Sequence, residues 1–152
     1  MTNTTIDMDL TYECKVMWAQ LDPNGHMRHS AYADFAAQAR IAVLDELGLD
    51  LKAFQEQHLG PILFREESVY LREVGANDIL TVTTELTKSR PDGSRWSIRH
   101  NIFRADGVKA AVLNVDGAWI DTKQRKLTEL PEHLAEQFAR LPKTIDYEEQ
   151  EV

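Results

Sequence analysis

The chain has 152 residues, enough for one domain with a sizeable core. Hydrophobic residues make up 43% and charged residues 28%, ordinary values for a soluble globular protein, and 25 acids against 17 bases leave a formal charge of −8. That balance speaks against a sequence-independent grip on nucleic acid, which relies on Lys and Arg along a phosphate track, and against an anionic membrane surface.

The opening MTNTTIDMDL has neither the basic nor the apolar region of a signal peptide, and no apolar run approaches the roughly 20 residues that span a bilayer. A cytoplasmic address without a membrane partner is the expectation. Residues 12–21 then alternate, with Tyr12, Cys14, Val16 and Trp18 on one face, which is strand spacing. Cys14 is the only cysteine, so an intrachain disulfide and a multi-cysteine metal site are excluded, and its place on that apolar face reads as core. The break DPNGH (22–26) follows. Ser30 is positioned to cap a helix, and behind it Tyr32, Phe35, Ala36, Ala39, Val43, Leu44 and Leu47 recur at steps of three and four up to the helix-stopping Gly48. Residues 49–61 read as a short helical piece and a turn.

From there the period changes to two. A strand spans 62–74, with charged residues on both faces; GAND turns the chain; a β-branched strand spans 79–89. RPDG (90–93) and ADG (105–107) read as hairpin turns around a strand at 94–104, and 108–121 is the last strand. A short helix over 129–141 closes the chain, with Leu134, Phe138 and Leu141 on its apolar side, and the acidic end from about 144 to 152 reads as a flexible tail. No repeat appears. Tight turns force antiparallel neighbours, and one long helix can cover one face of their sheet. The expected class is α+β: a single domain over 1–152, in which a curved, five-stranded antiparallel sheet wraps one long central helix.

The strand–helix junction, AQLDPNGHMRHSAYADF (19–35), carries more chemistry than a connector needs. It and two further stretches, VYLREVGANDILTVTTEL (69–86) and VDGAWIDTKQRKLTELP (115–131), resemble the hotdog-fold acyl-CoA thioesterases, in particular the 4-hydroxybenzoyl-CoA thioesterase branch. In that pattern an aspartate, a small turn, a Gly and then an aromatic lead into the helix. The resemblance implies a hotdog fold, hydrolysis of an acyl-CoA thioester, no cofactor beyond the CoA of the substrate, no metal, and a homodimer or dimer of dimers. Where many relatives carry asparagines after the Gly-His pair, this chain has Arg28 and His29. Other hotdog thioesterases place their carboxylate on the helix, where this chain offers Asp34, Asp45 and Glu46.

Thioester hydrolysis needs a carboxylate that attacks the carbonyl or activates water, and donors that meet the oxygen as it becomes negative. A helix start offers such donors, because its first N–H groups lack intrahelical partners. The resemblance gives the first role, as base or nucleophile, to Asp22 and the second to the backbone N–H near His29. The plain alternative for Asp22 is a turn aspartate. Asn24 and Gly25 are turn formers that can also hold Asp22 or substrate. His26 either orients Asp22, contacts substrate or is structural, and Tyr32 is either core or a wall beside the acyl group.

For the phosphates of CoA the candidates are Lys88, Arg90 and Arg95 around the RPDG hairpin, against a reading as solubilising charge. The run TKQRK (122–126) reads as plain surface. Glu66 interrupts its strand and either faces solvent or reaches a partner's site. His100 reads as a satisfied structural histidine. Two other functions stay open: a non-catalytic module that binds acyl-CoA or an acyl carrier, and an enoyl-CoA hydratase, for which the Asp22–His26 register is off by one.

Overall fold

The computed structural model describes residues 10–151; the opening segment and Val152 lie outside them. In chain order the elements are β1 (Tyr12–Lys15), a 3-10 turn (Trp18–Gln20), α1 (His29–Glu46), α2 (Leu51–Gln57), β2 (Leu59–Tyr70), β3 (Ile79–Val82), β4 (Glu85–Ser89), β5 (Arg95–Arg104), β6 (Lys109–Asp121), β7 (Lys126–Thr128), α3 (Glu132–Phe138) and β8 (Lys143–Glu149).

The seven stripe residues predicted for the long helix are all buried in α1 and its C-cap. Each such side chain contributes on the order of 1.5–3 kcal/mol when it is large and fully removed from water. The start of α1 departs from expectation. The helix begins at His29 with Arg28 at the N-cap and no capping side chain, because the Ser30 hydroxyl accepts instead from Arg28 Nε at 3.0 Å.

β6 is the centre of one half of the sheet, with β2 on one side and β5 on the other. The far edge of β5 is shared by β3 and β4, outside which lie β1 and β8. All pairings are antiparallel except β4 with β8. The sheet therefore has eight strands, not five. The strand expected over 79–89 is broken at Thr83–Thr84, where the Thr83 hydroxyl accepts the Asn101 amide at 3.0 Å and takes a rung of the ladder for itself. β7 extends the sheet beyond the start of β5, pairing Trp119–Asp121 of β6. The end read as a flexible tail is instead strand β8 up to Glu149. Tyr147 anchors it, with its hydroxyl 2.6 Å from Ser89 Oγ and its ring against the core.

α1 runs along two apolar clusters. Its first half (Ala31, Tyr32, Phe35, Ala36, Ala39) meets Leu80, Val82, Ile102 and Leu113; its second half (Val43, Leu44, Leu47) meets Trp96, Ile98, Val115, Trp119 and Phe138 of α3. Small side chains matter on the sheet side too. A Cβ on Gly117 would drive into the Trp96 ring and the Ile62 carbonyl.

Candidate active site

The junction before α1 is a small tethered hairpin. The Asp22 amide donates to the His26 carbonyl at 2.7 Å and the Gly25 amide to the Asp22 carbonyl at 3.0 Å. Pro23 pre-sets the turn, and Gly25 takes φ +80°, a conformation that a side chain disfavours. The hairpin is fastened to the sheet-side loop, with Met27 N donating to the Val74 carbonyl at 2.6 Å and His26 bridged to Gly75.

This loop also fixes the Asp22 carboxylate. Its Oδ1 accepts from the amides of Asn24 at 2.8 Å and His26 at 3.1 Å, while Oδ2 has no hydrogen-bond partner among the described residues. Three residues past the hairpin α1 starts without a side-chain cap, and among the described residues the His29 and Ser30 amides have no acceptor, at the positive end of the helix dipole.

The opposite wall comes from the sheet. Tyr70, at the end of β2, donates its hydroxyl to the His29 carbonyl at 3.2 Å. Its ring stacks on the His29 imidazole at 4.4 Å and meets Tyr32 edge-on at 5.0 Å. Arg104, at the end of β5, is clamped by Asp106 at 2.6 Å and donates to the Glu73 carbonyl at 3.3 Å. Between these walls lies a cavity of about 410 Å³, lined by Asp22, His26, Met27, His29 and Tyr32 from the junction and by Tyr70, Leu71, Arg72, Glu73 and Arg104 from the sheet.

Burial, and then the negative potential of Tyr70, Asp22 and Glu73, holds the Tyr32 hydroxyl above its ordinary pKa, so it stays protonated as a donor. The Asp106 salt bridge raises Arg104 and fixes its charge. Cys14 has the opposite of a nucleophile's environment, since burial and then Glu13 push its thiol up to about 11. Among the described residues no group of three or more His, Cys, Asp or Glu is placed to hold a metal ion, and no helix is long and apolar enough to cross a membrane.

A family model for the thioesterase-like superfamily matches residues 16–138, from the end of β1 to the end of α3. The chain belongs to the thioesterase-like superfamily. The hypothetical protein SAV2348 from Staphylococcus aureus, solved in complex with CoA, superposes with a TM-score of 0.85 at 23% identity, over 96% of this chain and 93% of that one. The 1,4-dihydroxy-2-naphthoyl-CoA thioesterase Slr0204 from Synechocystis gives 0.75 at 19% identity, over 85% and 94%. The DHNA-CoA thioesterase from Staphylococcus aureus gives 0.75 at 18% identity, over 86% of each chain. These likenesses establish the hotdog fold. No curated protein matches the chain in sequence.

Within this superfamily member, Asp22, His26, His29 and Tyr32 line one cavity. Asn24 and Gly25 build the turn behind it; Asn24 holds Asp22 through its backbone amide, not its side chain. Lys88, Arg90 and Arg95 stand elsewhere. They surround the β4–β5 hairpin, and the whole of β5, about 30 Å at 3.3 Å per residue, separates Arg95 from Arg104 at the cavity. Arg95 lies over the Phe64 ring at 5.0 Å. Glu66 is exposed and outside the cavity, but its pairing with Val115 puts it on the helix side of β2, toward Arg40.

The sequence reading missed Tyr70, Arg72, Glu73 and Arg104. Tyr70 had a signal: it follows Glu66 and Ser68 at period two on a strand whose polar residues already looked out of place. The other three had none, because only the fold brings the ends of β2 and β5 to the junction.

Proposed function

We propose that the chain hydrolyses acyl-CoA thioesters in the Asp22 cavity. One observation carries the reading: a carboxylate with one oxygen fixed and the other free lines the same cavity as an uncapped helix start. The thioester carbonyl oxygen takes the free His29 and Ser30 amides. Asp22 Oδ2 removes a proton from water, whose oxygen bonds to the carbonyl carbon. The C–S bond breaks with its electron pair going to sulfur, and the proton held by Asp22 passes to that thiolate. Tyr70 fixes the His29 carbonyl, and with it the helix start, through its hydroxyl. Arg72 and Arg104, the cations that line the cavity, take the CoA phosphates in place of the Lys88, Arg90 and Arg95 cluster.

The reading further proposes a second copy of the chain alongside β2. Among the described residues this edge strand pairs only β6, and it exposes Leu63, Phe64, Val69 and Tyr70.

The test is thiol release from a panel of alkanoyl- and aroyl-CoAs. Asp22→Asn, which keeps the turn geometry but cannot take the proton, should lower kcat by about 100-fold or more while the circular dichroism spectrum is retained. Unchanged turnover on the best substrate refutes the role of Asp22. Acyl-CoA binding by calorimetry without thiol release from any substrate makes the chain a binding module. Label found in the Asp22 carboxyl after turnover in H₂¹⁸O establishes an acyl-aspartyl intermediate opened at its aspartyl carbon, since the base route puts the water oxygen only in the acid product.

A further inference from the structure

A second cavity of about 220 Å³ lies further along α1 from the Asp22 cavity, walled by Leu44 of α1, Leu63 of β2, Trp96, Ile98, Trp119 and Phe138. The one charged group in its wall is Arg40. Arg40 is eight residues from Tyr32 along α1, so about 12 Å further along the helix axis, and it is only 9% exposed.

A buried guanidinium normally has an acid beside it. Arg40 has none within 4 Å among the described residues; its hydrogen bond goes to His100 Nε2, 2.9 Å away. Arg donates only, so Nε2 is the lone-pair nitrogen and Nδ1 carries the hydrogen, which it donates to the Thr83 carbonyl at 3.0 Å. His100 is therefore a neutral prop that orients Arg40 without cancelling its charge. Glu66 lies on the helix side of β2 and opposes the effect of burial on Arg40, yet stands outside ion-pair distance. The indole N–H groups of Trp96 and Trp119 also lack partners, but they are closed off within the core, which leaves Arg40 as the donor a ligand meets.

We infer that this cavity receives the far end of the acyl group and that Arg40 selects acyl chains ending in a carboxylate. The inference rests on the thioesterase reading above. A mainly apolar cavity holding a propped guanidinium without an ion-pair partner fits the end of an ω-carboxyacyl thioester, with methylenes spanning the distance from the Asp22 cavity and the carboxylate on the Arg40 fork.

The experiment compares kcat/KM for ω-carboxyacyl-CoAs with that for alkanoyl-CoAs of the same chain length. The parent protein should favour the carboxylate-ended series by about ten- to a hundredfold, the size of one charge-assisted hydrogen bond. Arg40→Met should collapse this ratio to one or below, mainly through KM, and Arg40→Lys should keep part of it. Glu66→Gln, which removes the competing charge, should raise the ratio. General damage to the fold lowers both series together and does not move the ratio. A parental ratio of one or below overturns the inference even if Arg40→Met does not fold, and so does an unchanged ratio in Arg40→Met. Hydrolysis of alkanoyl-CoAs without the preference leaves the thioesterase reading standing and removes only this one; hydrolysis of neither series removes both.

Discussion

Asp22 is a turn aspartate, because Oδ1 takes two amides of its own loop, and its Oδ2, which no described residue donates to, is the atom on which the proposed catalytic role rests. The turn is what aims the carboxylate, so the turn glycine carries a functional consequence. Gly25 sits at φ +80° with open space around its Cα. Gly25→Ala therefore meets no clash, only the left-handed penalty of roughly 1–2 kcal/mol. It should lower the melting temperature slightly and kcat by more than the stability loss explains, since relaxing φ swings the Asn24 and His26 amides off Oδ1. Urea melts paired with thiol-release kinetics check this; equal kcat in the two proteins would mean that the turn does not set the carboxylate.

At this scale the sequence was legible where the site is local. Asp22, His26, His29 and Tyr32 fall within eleven consecutive positions, and the loop rules that place one of them place the rest. Ser30 was misread because capping preferences ignore competitors: Arg28, two residues earlier, reaches the same hydroxyl. The basic hairpin shows a different limit. Spacing shows that Lys88, Arg90 and Arg95 cluster, but the end of the sheet they occupy depends on strand order.

At the scale of elements, a polar contact joins α1 and β5 at the seam between two apolar clusters. Arg40 follows Ala39 and precedes Val43 on the helix; His100 stands between Ile98 and Ile102 on the strand. Alternation on β5 was enough to read His100 as an inward, satisfied histidine. Its partner was not readable, because an Arg on a helix stripe is ordinarily surface. Burial, and then Arg40, lower the His100 pKa from 6.5 to about 3. Between those values the unfolded chain binds a proton that the folded protein refuses. The stability from the neutral imidazole is thus complete above pH 6.5 and declines as pH falls toward 3, by about 1.4 kcal/mol per unit at full effect. Carboxylates titrate in the same range, so the informative quantity is a difference. His100→Gln keeps an acceptor for Arg40 and cannot titrate; its stability should fall less steeply than the parent's between pH 6.5 and 4.5. Parallel urea-melt profiles would show that His100 is protonated in the folded protein. Strand count was the weaker part of the element reading. A Thr hydroxyl that replaces a ladder bond, and a short acidic strand that pairs β4 in parallel and is anchored by a Tyr–Ser contact, leave no periodic trace.

At the scale of the molecule the open question is the outer edge of β2. This strand is 12 residues long, has a register shift between Leu63 and Arg65, and among the described residues is bonded on one side only. Its two faces differ. Arg65 and Glu67 belong to a polar ladder on the outer face, where Arg65 meets Glu67 at 3.0 Å and Asn114 donates to Glu67 at 3.1 Å. Glu66 and Tyr70 face the helix and the groove. An edge of that length with Phe64 and Val69 exposed is a template for another strand, and it lacks the Lys and Pro residues that usually blunt one in its outer half. Antiparallel pairing of β2 with its own copy satisfies the free backbone groups isologously, covers the apolar side chains, and closes the α1–β2 groove that holds both cavities. The parent should therefore sediment at twice its 17.4 kDa chain mass. Phe64→Lys with Val69→Lys places like charges across such a pairing and should shift it to monomer at micromolar concentration. Because the partner would wall the groove, turnover should fall with the dimer fraction and recover as protein concentration rises. A monomeric parent, or a monomeric variant with full activity at every concentration, would show that one chain alone makes a complete site.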